Sequence, residues 1–109
     1  MNILNYKLYY FLGVGGIGMS ALGRFFNHYH KAVFGYDTSS SELCKHLENE
    51  GITCHYDENV KNLELILANY KKEEVLIIYT PAVPKEHLEY QYLLNKGYKY
   101  MNVFSRLFY

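Results

Sequence analysis

The feature that most constrains this chain is a glycine run, Gly13-Val14-Gly15-Gly16-Ile17-Gly18, set between an apolar segment and a helical pattern. The segment before it, Leu8–Leu12 (LYYFL), is apolar and aromatic and stops at glycine, as a strand buried on both faces does. After it, Met19, Leu22, Phe25, Phe26 and Tyr29 recur at helical spacing, so a helix starts inside the glycine segment and runs to about Tyr29. Gly13, Gly15 and Gly18 have G-x-G-x-x-G spacing, with Gly16 as a fourth glycine, and the strand–turn–helix setting is what gives that spacing meaning. Gly13 then permits the tight turn. Gly15 lets the backbone approach a pyrophosphate with no Cβ between them, and Gly18 allows the helix to pack closely on the strand. The free N–H groups at the positive end of the helix face the phosphates.

The rest of the chain repeats the alternation. Ala32–Tyr36 (AVFGY) reads as a second strand ending at Asp37, and Ser39, Ser40 and Ser41 offer N-caps to a helix that carries Leu43, Cys44 and Leu47 and closes at Gly51. Residues 52–56 (ITCHY) form a short third strand, and Val60, Leu63, Ile66, Leu67 and Tyr70 suit one face of a third helix. Val75–Tyr79 (VLIIY) is the clearest buried strand. Two prolines make residues 80–84 (TPAVP) a loop, followed by a helix over 85–96 capped at Gly97 and a last strand over 98–103. Strands alternating with helices define an α/β fold: one Rossmann-like domain over residues 1–109, with a parallel sheet of about five strands and helices on both faces.

Asp37 follows Gly18 by about twenty residues, where dinucleotide-binding folds hold a ribose with a carboxylate. The lesser alternative is that it caps the helix that follows. These features describe a site for a nucleoside diphosphate, with NAD and a UDP-sugar on equal terms.

Charge excludes several other classes. Eleven basic and eleven acidic side chains cancel, leaving no positive field for nucleic acid or an anionic membrane, so an anion must be held by local geometry. No apolar run approaches a membrane span and no signal-peptide pattern opens the chain, so a cytoplasmic protein is expected. Cys44 and Cys54 fit no metal or redox motif and read as free thiols. The five histidines, His28, His30, His46, His55 and His87, lack metal-ligand spacing, so no metal is expected. Ser20 has no partnering His and Asp and is no nucleophile, and Lys71-Lys72-Glu73-Glu74 is a self-compensating solvated run.

The longer string Tyr10-Phe11-Leu12-Gly13-Val14-Gly15-Gly16-Ile17-Gly18-Met19-Ser20-Ala21-Leu22 resembles the opening of the Mur-type ligases that join UDP-N-acetylmuramate to L-alanine. The likeness continues in register through Gly35-Tyr36-Asp37, Gly51-Ile52-Thr53, His55-Tyr56 and Tyr79-Thr80-Pro81-Ala82-Val83-Pro84, and covers nearly the whole chain. It implies the domain that holds the UDP part of UDP-N-acetylmuramate in peptidoglycan precursor synthesis. By the same resemblance, the backbone of Gly15, Gly16, Ile17 and Gly18 meets the diphosphate and Asp37 lies by the uridine. His55 and Tyr56 come near the uracil rim, and Thr80, Pro81 and Ala82 border the ligand from the neighbouring strand. The family's ATP and magnesium are held by a glycine-lysine loop in a following domain. No such motif occurs here, so this chain alone is expected to bind neither cofactor and to catalyse nothing. The rival expectations are an NAD-binding domain of an oxidoreductase and a folded remnant that binds nothing. At the end, Met101-Asn102-Val103-Phe104-Ser105-Arg106-Leu107-Phe108-Tyr109 departs from the family pattern. Its apolar residues are expected to cover an edge of the core.

Overall fold

The computed structural model describes residues 2–103, so the expectation for 104–109 lies outside the described residues. The elements in chain order are β1 (Leu8–Leu12), α1 (Ile17–His28), β2 (Ala32–Tyr36), α2 (Glu42–Asn49), β3 (Thr53–His55), α3 (Val60–Leu67), a 3₁₀ turn (Lys72–Glu74), β4 (Val75–Tyr79), α4 (Leu88–Lys96) and β5 (Lys99–Asn102). The strands form one parallel sheet in the order β3-β2-β1-β4-β5. Among the described residues no helix is long and apolar enough to cross a membrane.

The period-2 alternation of the strands splits the interior into two cores. On one face Tyr9 and Phe11 of β1, Val33 of β2 and Leu76 and Ile78 of β4 pack with Met19 and Phe26 of α1 and Leu47 of α2. On the other face Leu8, Tyr10, Leu12, Tyr36, Val75 and Ile77 pack with Leu63 and Leu67 of α3 and Leu93 of α4. All five residues of β1 are buried, because it lies between two strands and beneath helices on both sides. The expected α/β architecture is therefore the observed one.

Element ends differ from the sequence pattern for local reasons. Helix α4 begins at Leu88 and not at 85, because His87 N–H donates to Pro84 O (3.1 Å) in a tight turn and the His87 side chain then caps the helix. Helix α3 stops at Leu67, short of Tyr70. Strand β3 is reduced to three residues at the sheet edge, where a single neighbouring strand holds it. The Lys72–Glu74 segment is tied down, with Lys7 Nζ 2.9 Å from Glu74 Oε2.

Candidate functional site

Strand β1 leads through α1 to β2 on one side, while β4 enters on its other side, so the chain reverses its winding direction between β1 and β4. Open α/β sheets bind ligands at that crevice, beyond the C-terminal strand ends. A cleft of about 500 Å³ lies there, lined by Gly13, Gly15, Gly16, Met19, Tyr36, Asp37, Thr38, Ser41, Glu58, Thr80, Ala82, Val83, Pro84 and His87. None of these lining residues is Lys or Arg. A phosphate here would rely on backbone donors.

The glycine loop supplies them. Gly13 turns the chain at φ +94°, a conformation that favours glycine, and the N–H groups of Gly13 and Val14 both donate to Tyr36 O (2.8 and 3.0 Å). Gly15 N–H donates to Asp37 Oδ2 (2.6 Å) and Gly16 N–H to Gly13 O (3.2 Å). The first intrahelical bond of α1 is Ser20 N–H to Gly16 O (2.7 Å), and no side chain caps the helix. Ile17, Gly18 and Met19 thus occupy the positions whose N–H groups lack helical acceptors, and there the helix dipole is positive. Of the four expected backbone donors, Gly15 and Gly16 already have acceptors within the chain, while Ile17 and Gly18 lie in the uncapped first turn.

Two glycine roles change. A Cβ on Gly15 would lie 2.7 Å from both Asp37 Oδ2 and Cys44 Sγ, so its bareness lets β2's end and α2 close in from inside the fold. Gly18 is exposed with nothing near its missing Cβ, so it does not draw helix onto strand. The close-packing glycine is Gly35, whose Cβ would come 2.5 Å from Val14 Cβ.

Asp37 serves the loop directly. Besides holding Gly15, its Oδ1 accepts from Thr38 N–H (2.7 Å), while α2 is capped by Ser41, whose Oγ accepts from Cys44 N–H (3.1 Å). The capping alternative for Asp37 therefore falls to Ser41. Across the cleft the loop after β4 presents Thr80 and Ala82, folded by Val83 N–H to Thr80 O (3.1 Å); Pro81 is exposed and outside the lining.

The remaining expected residues are placed elsewhere. Ile17 is 87% exposed, and neither it nor Gly18 is among the lining residues. Tyr56 donates from its hydroxyl to Glu48 Oε1 of α2 (2.6 Å), away from the lining. His55 is half-buried and outside the lining. Its Nε2 lies 2.9 Å from both Tyr10 Oη and Glu89 Oε2. Glu89, 0% exposed, also accepts from Tyr10 Oη–H (2.5 Å) and from Asn59 N–H (2.9 Å). Burial opposes its ionisation, but the bonds from His55, Tyr10 and Asn59 outweigh burial and hold the carboxyl below its usual range. Burial, and then the Glu89 carboxylate, push the Tyr10 hydroxyl well up, keeping it a donor.

Tyr36, Glu58 and His87 line the cleft without having been singled out from sequence. Glu58 Oε1 accepts from Leu88 N–H (2.8 Å), and His87 Nδ1 accepts from Glu89 and Tyr90 N–H (3.2 and 3.4 Å), so α4's first turn is fully capped by side chains. The available signal was Glu89, a charged residue sharing a helix face with apolar Leu93.

Residues 8–107 match the model of the Mur ligase family, catalytic domain. The chain is 43% identical over 99 residues to a UDP-N-acetylmuramate–L-alanine ligase of Flavobacterium johnsoniae, covering 91% of this chain and 21% of that protein. It is 46% identical over 101 residues to the enzyme of the same name from Christiangramia forsetii, covering 91% and 22%. Its fold matches the crystal structure of a UDP-N-acetylmuramate–alanine ligase from Thermotoga maritima with a TM-score of 0.72 at 24% identity, over 91% of this chain and 21% of the other. A murein peptide ligase from Psychrobacter arcticus matches with a TM-score of 0.71 at 20% identity, over 87% and 18%. The chain spans about a fifth of the length of the curated relatives it matches. Fold, glycine loop and family match agree, and the chain belongs to the Mur ligase family.

Proposed function

We propose that this chain is the domain that anchors the UDP part of UDP-N-acetylmuramate for the ATP-dependent addition of L-alanine, a step of peptidoglycan precursor synthesis. The observation that carries this reading is the N-terminus of α1, which no side chain caps and whose flanking Gly16 and Met19 line a cleft without a lysine or arginine. A diphosphate supplies the negative charge and acceptor oxygens which the N–H groups of that first turn lack. Asp37, already fixed on Gly15, stands at the end of β2 with a carboxylate for ribose or base. The relatives named for this reaction support the choice of a uridine nucleotide over NAD.

The chemistry belongs to other domains of the family's longer proteins, where ATP and magnesium would activate the substrate carboxylate. This chain's part is to hold and orient. Titration of the ¹⁵N-labelled chain with UDP-N-acetylmuramate, UDP and NAD tests it. Amide shifts at Ile17, Gly18 and Met19 with both uridine ligands and not with NAD are expected; shifts with NAD alone, or with none of the three, would refute the reading.

A further inference from the structure

The glycine loop hangs on the end of β2. Gly13 and Val14 N–H donate to Tyr36 O (2.8 and 3.0 Å), and Gly15 N–H donates to Asp37 Oδ2 (2.6 Å). Of these three bonds only the last ends on a side chain, and Gly16, the next residue, is the N-cap of α1. The carboxylate is held in turn: its Oδ1 accepts from Thr38 N–H (2.7 Å) and from the Thr38 hydroxyl (3.3 Å). A hydrogen bond from an amide to a carboxylate is about twice as strong as a neutral one. Asp37 is therefore a firm anchor placed one residue before the uncapped turn.

That position is at odds with charge. Gly15 and Asp37 line the same cleft, and no lysine or arginine in its lining offsets the carboxylate. Through space, the carboxylate repels a diphosphate. Its contribution to a phosphate site is shape. A carboxylate has about four acceptor positions, so the bonds to Gly15 and Thr38 leave room for a ribose or base as well. We infer that Asp37 is a positioning residue for the phosphate half of the ligand. By holding Gly15 it sets the first turn of α1 where a diphosphate meets it, whether or not a nucleoside is attached. This rests on the proposed UDP site.

Inorganic pyrophosphate tests it, because the sign of the effect separates the two roles. A carboxylate that served the nucleoside alone would, once removed, leave pyrophosphate binding unchanged or tighter. Kd for pyrophosphate and for UDP is measured from amide shifts of the ¹⁵N-labelled 109-residue chain, Asp37→Ala and Asp37→Asn. Pyrophosphate is expected to bind about tenfold more weakly to Asp37→Ala, as for a site that has lost its supporting bond. Asp37→Asn keeps an acceptor for Gly15 N–H without the charge, and is expected to return to within about threefold of the parent. In the parent, a scalar coupling from Gly15 N to the Asp37 carboxyl carbon is expected both with and without pyrophosphate, a readout that no variant's folding can disturb. Pyrophosphate binding that is unchanged or tighter in Asp37→Ala would overturn the inference, as would an Asp37→Asn variant no better than Asp37→Ala. So would a coupling that vanishes when pyrophosphate binds, or a parent that answers UDP and not pyrophosphate. All four outcomes leave the UDP site standing. A parent chain that binds no uridine nucleotide would overturn both.

Discussion

Two helices start at the same end of the sheet and meet the cleft differently. Helix α1 begins on Gly16 with no side chain over its first turn, whereas α4 has Leu88 N–H closed by Glu58 and the next two amides closed by His87. Both carry the same dipole and the same orphaned donors in principle. Local sequence decides which is open: glycine removes every competing acceptor at α1, while His87 and the distant Glu58 supply them at α4. The anion site proposed above therefore falls at α1 and not at α4. Beneath α4 the closure continues as a buried polar cluster around Glu89, whereas beneath α1 the packing depends on missing side chains at Gly15 and Gly35.

The contrast can be broken from either side. Glu89→Leu should have the largest effect, about 3 kcal/mol of stability in urea denaturation, because Tyr10 Oη–H and Asn59 N–H lose a buried acceptor. Since the folded state holds the Glu89 carboxyl below its ordinary value of 4.5, its contribution is complete above that pH. It fades as pH falls through the lower folded value. The gap between parent and variant should narrow as pH falls below 4.5; a gap independent of pH would remove the ionised carboxylate from the account.

Gly35→Ala attacks the other side. Its Cβ would fall 2.5 Å from Val14 Cβ, so about 2 kcal/mol should be lost, with a fall in melting temperature of roughly 10 °C. An unchanged melting temperature would mean that the loop yields freely. Gly16→Asp makes α1 resemble α4: the new Cβ meets only ordinary contacts at 3.5 and 3.6 Å, and the carboxylate caps the helix. UDP affinity should drop at least tenfold, about 1.4 kcal/mol, with melting temperature maintained or slightly raised. Retained affinity would show that the uncapped turn is not the phosphate site. Asn59→Ala, which removes the α3 cap on Asn62 N–H, should cost about 1 kcal/mol and leave UDP affinity alone. An affinity loss there would mean that the whole α3–α4 side is coupled to the ligand.

The contrast also explains what could be read from sequence. β1, β2 and β4 are each short unbroken apolar runs between breakers, so residues 8–12, 32–36 and 75–79 were legible as buried parallel strands. The strand-end loops carrying Gly13, Gly15, Gly16, Asp37, Thr80 and Ala82 follow from that topology, and they come together along the cleft. The α4 side was not legible, because its cap pairs Glu58 with Leu88 across thirty residues and uses a histidine where serine or aspartate is usual. His55 shows the same limit: the resemblance put it near the ligand rim, and nothing in the sequence announced its contacts with Tyr10 and Glu89. Gly18 had the right spacing and a different role, because spacing alone does not reveal which way a helix turns its missing side chain.

The complete burial of β1 has a kinetic meaning as well. Amide protons in a strand paired on both sides and covered on both faces exchange only when the domain opens globally, whereas the three-residue edge strand β3 can fray alone. The glycine loop hangs directly from the last residue of β1 and is pinned to Tyr36 O at the end of β2. The glycine turn is thus suspended from the slowest-exchanging part of the molecule. It keeps its shape through the partial openings that release the sheet's edges.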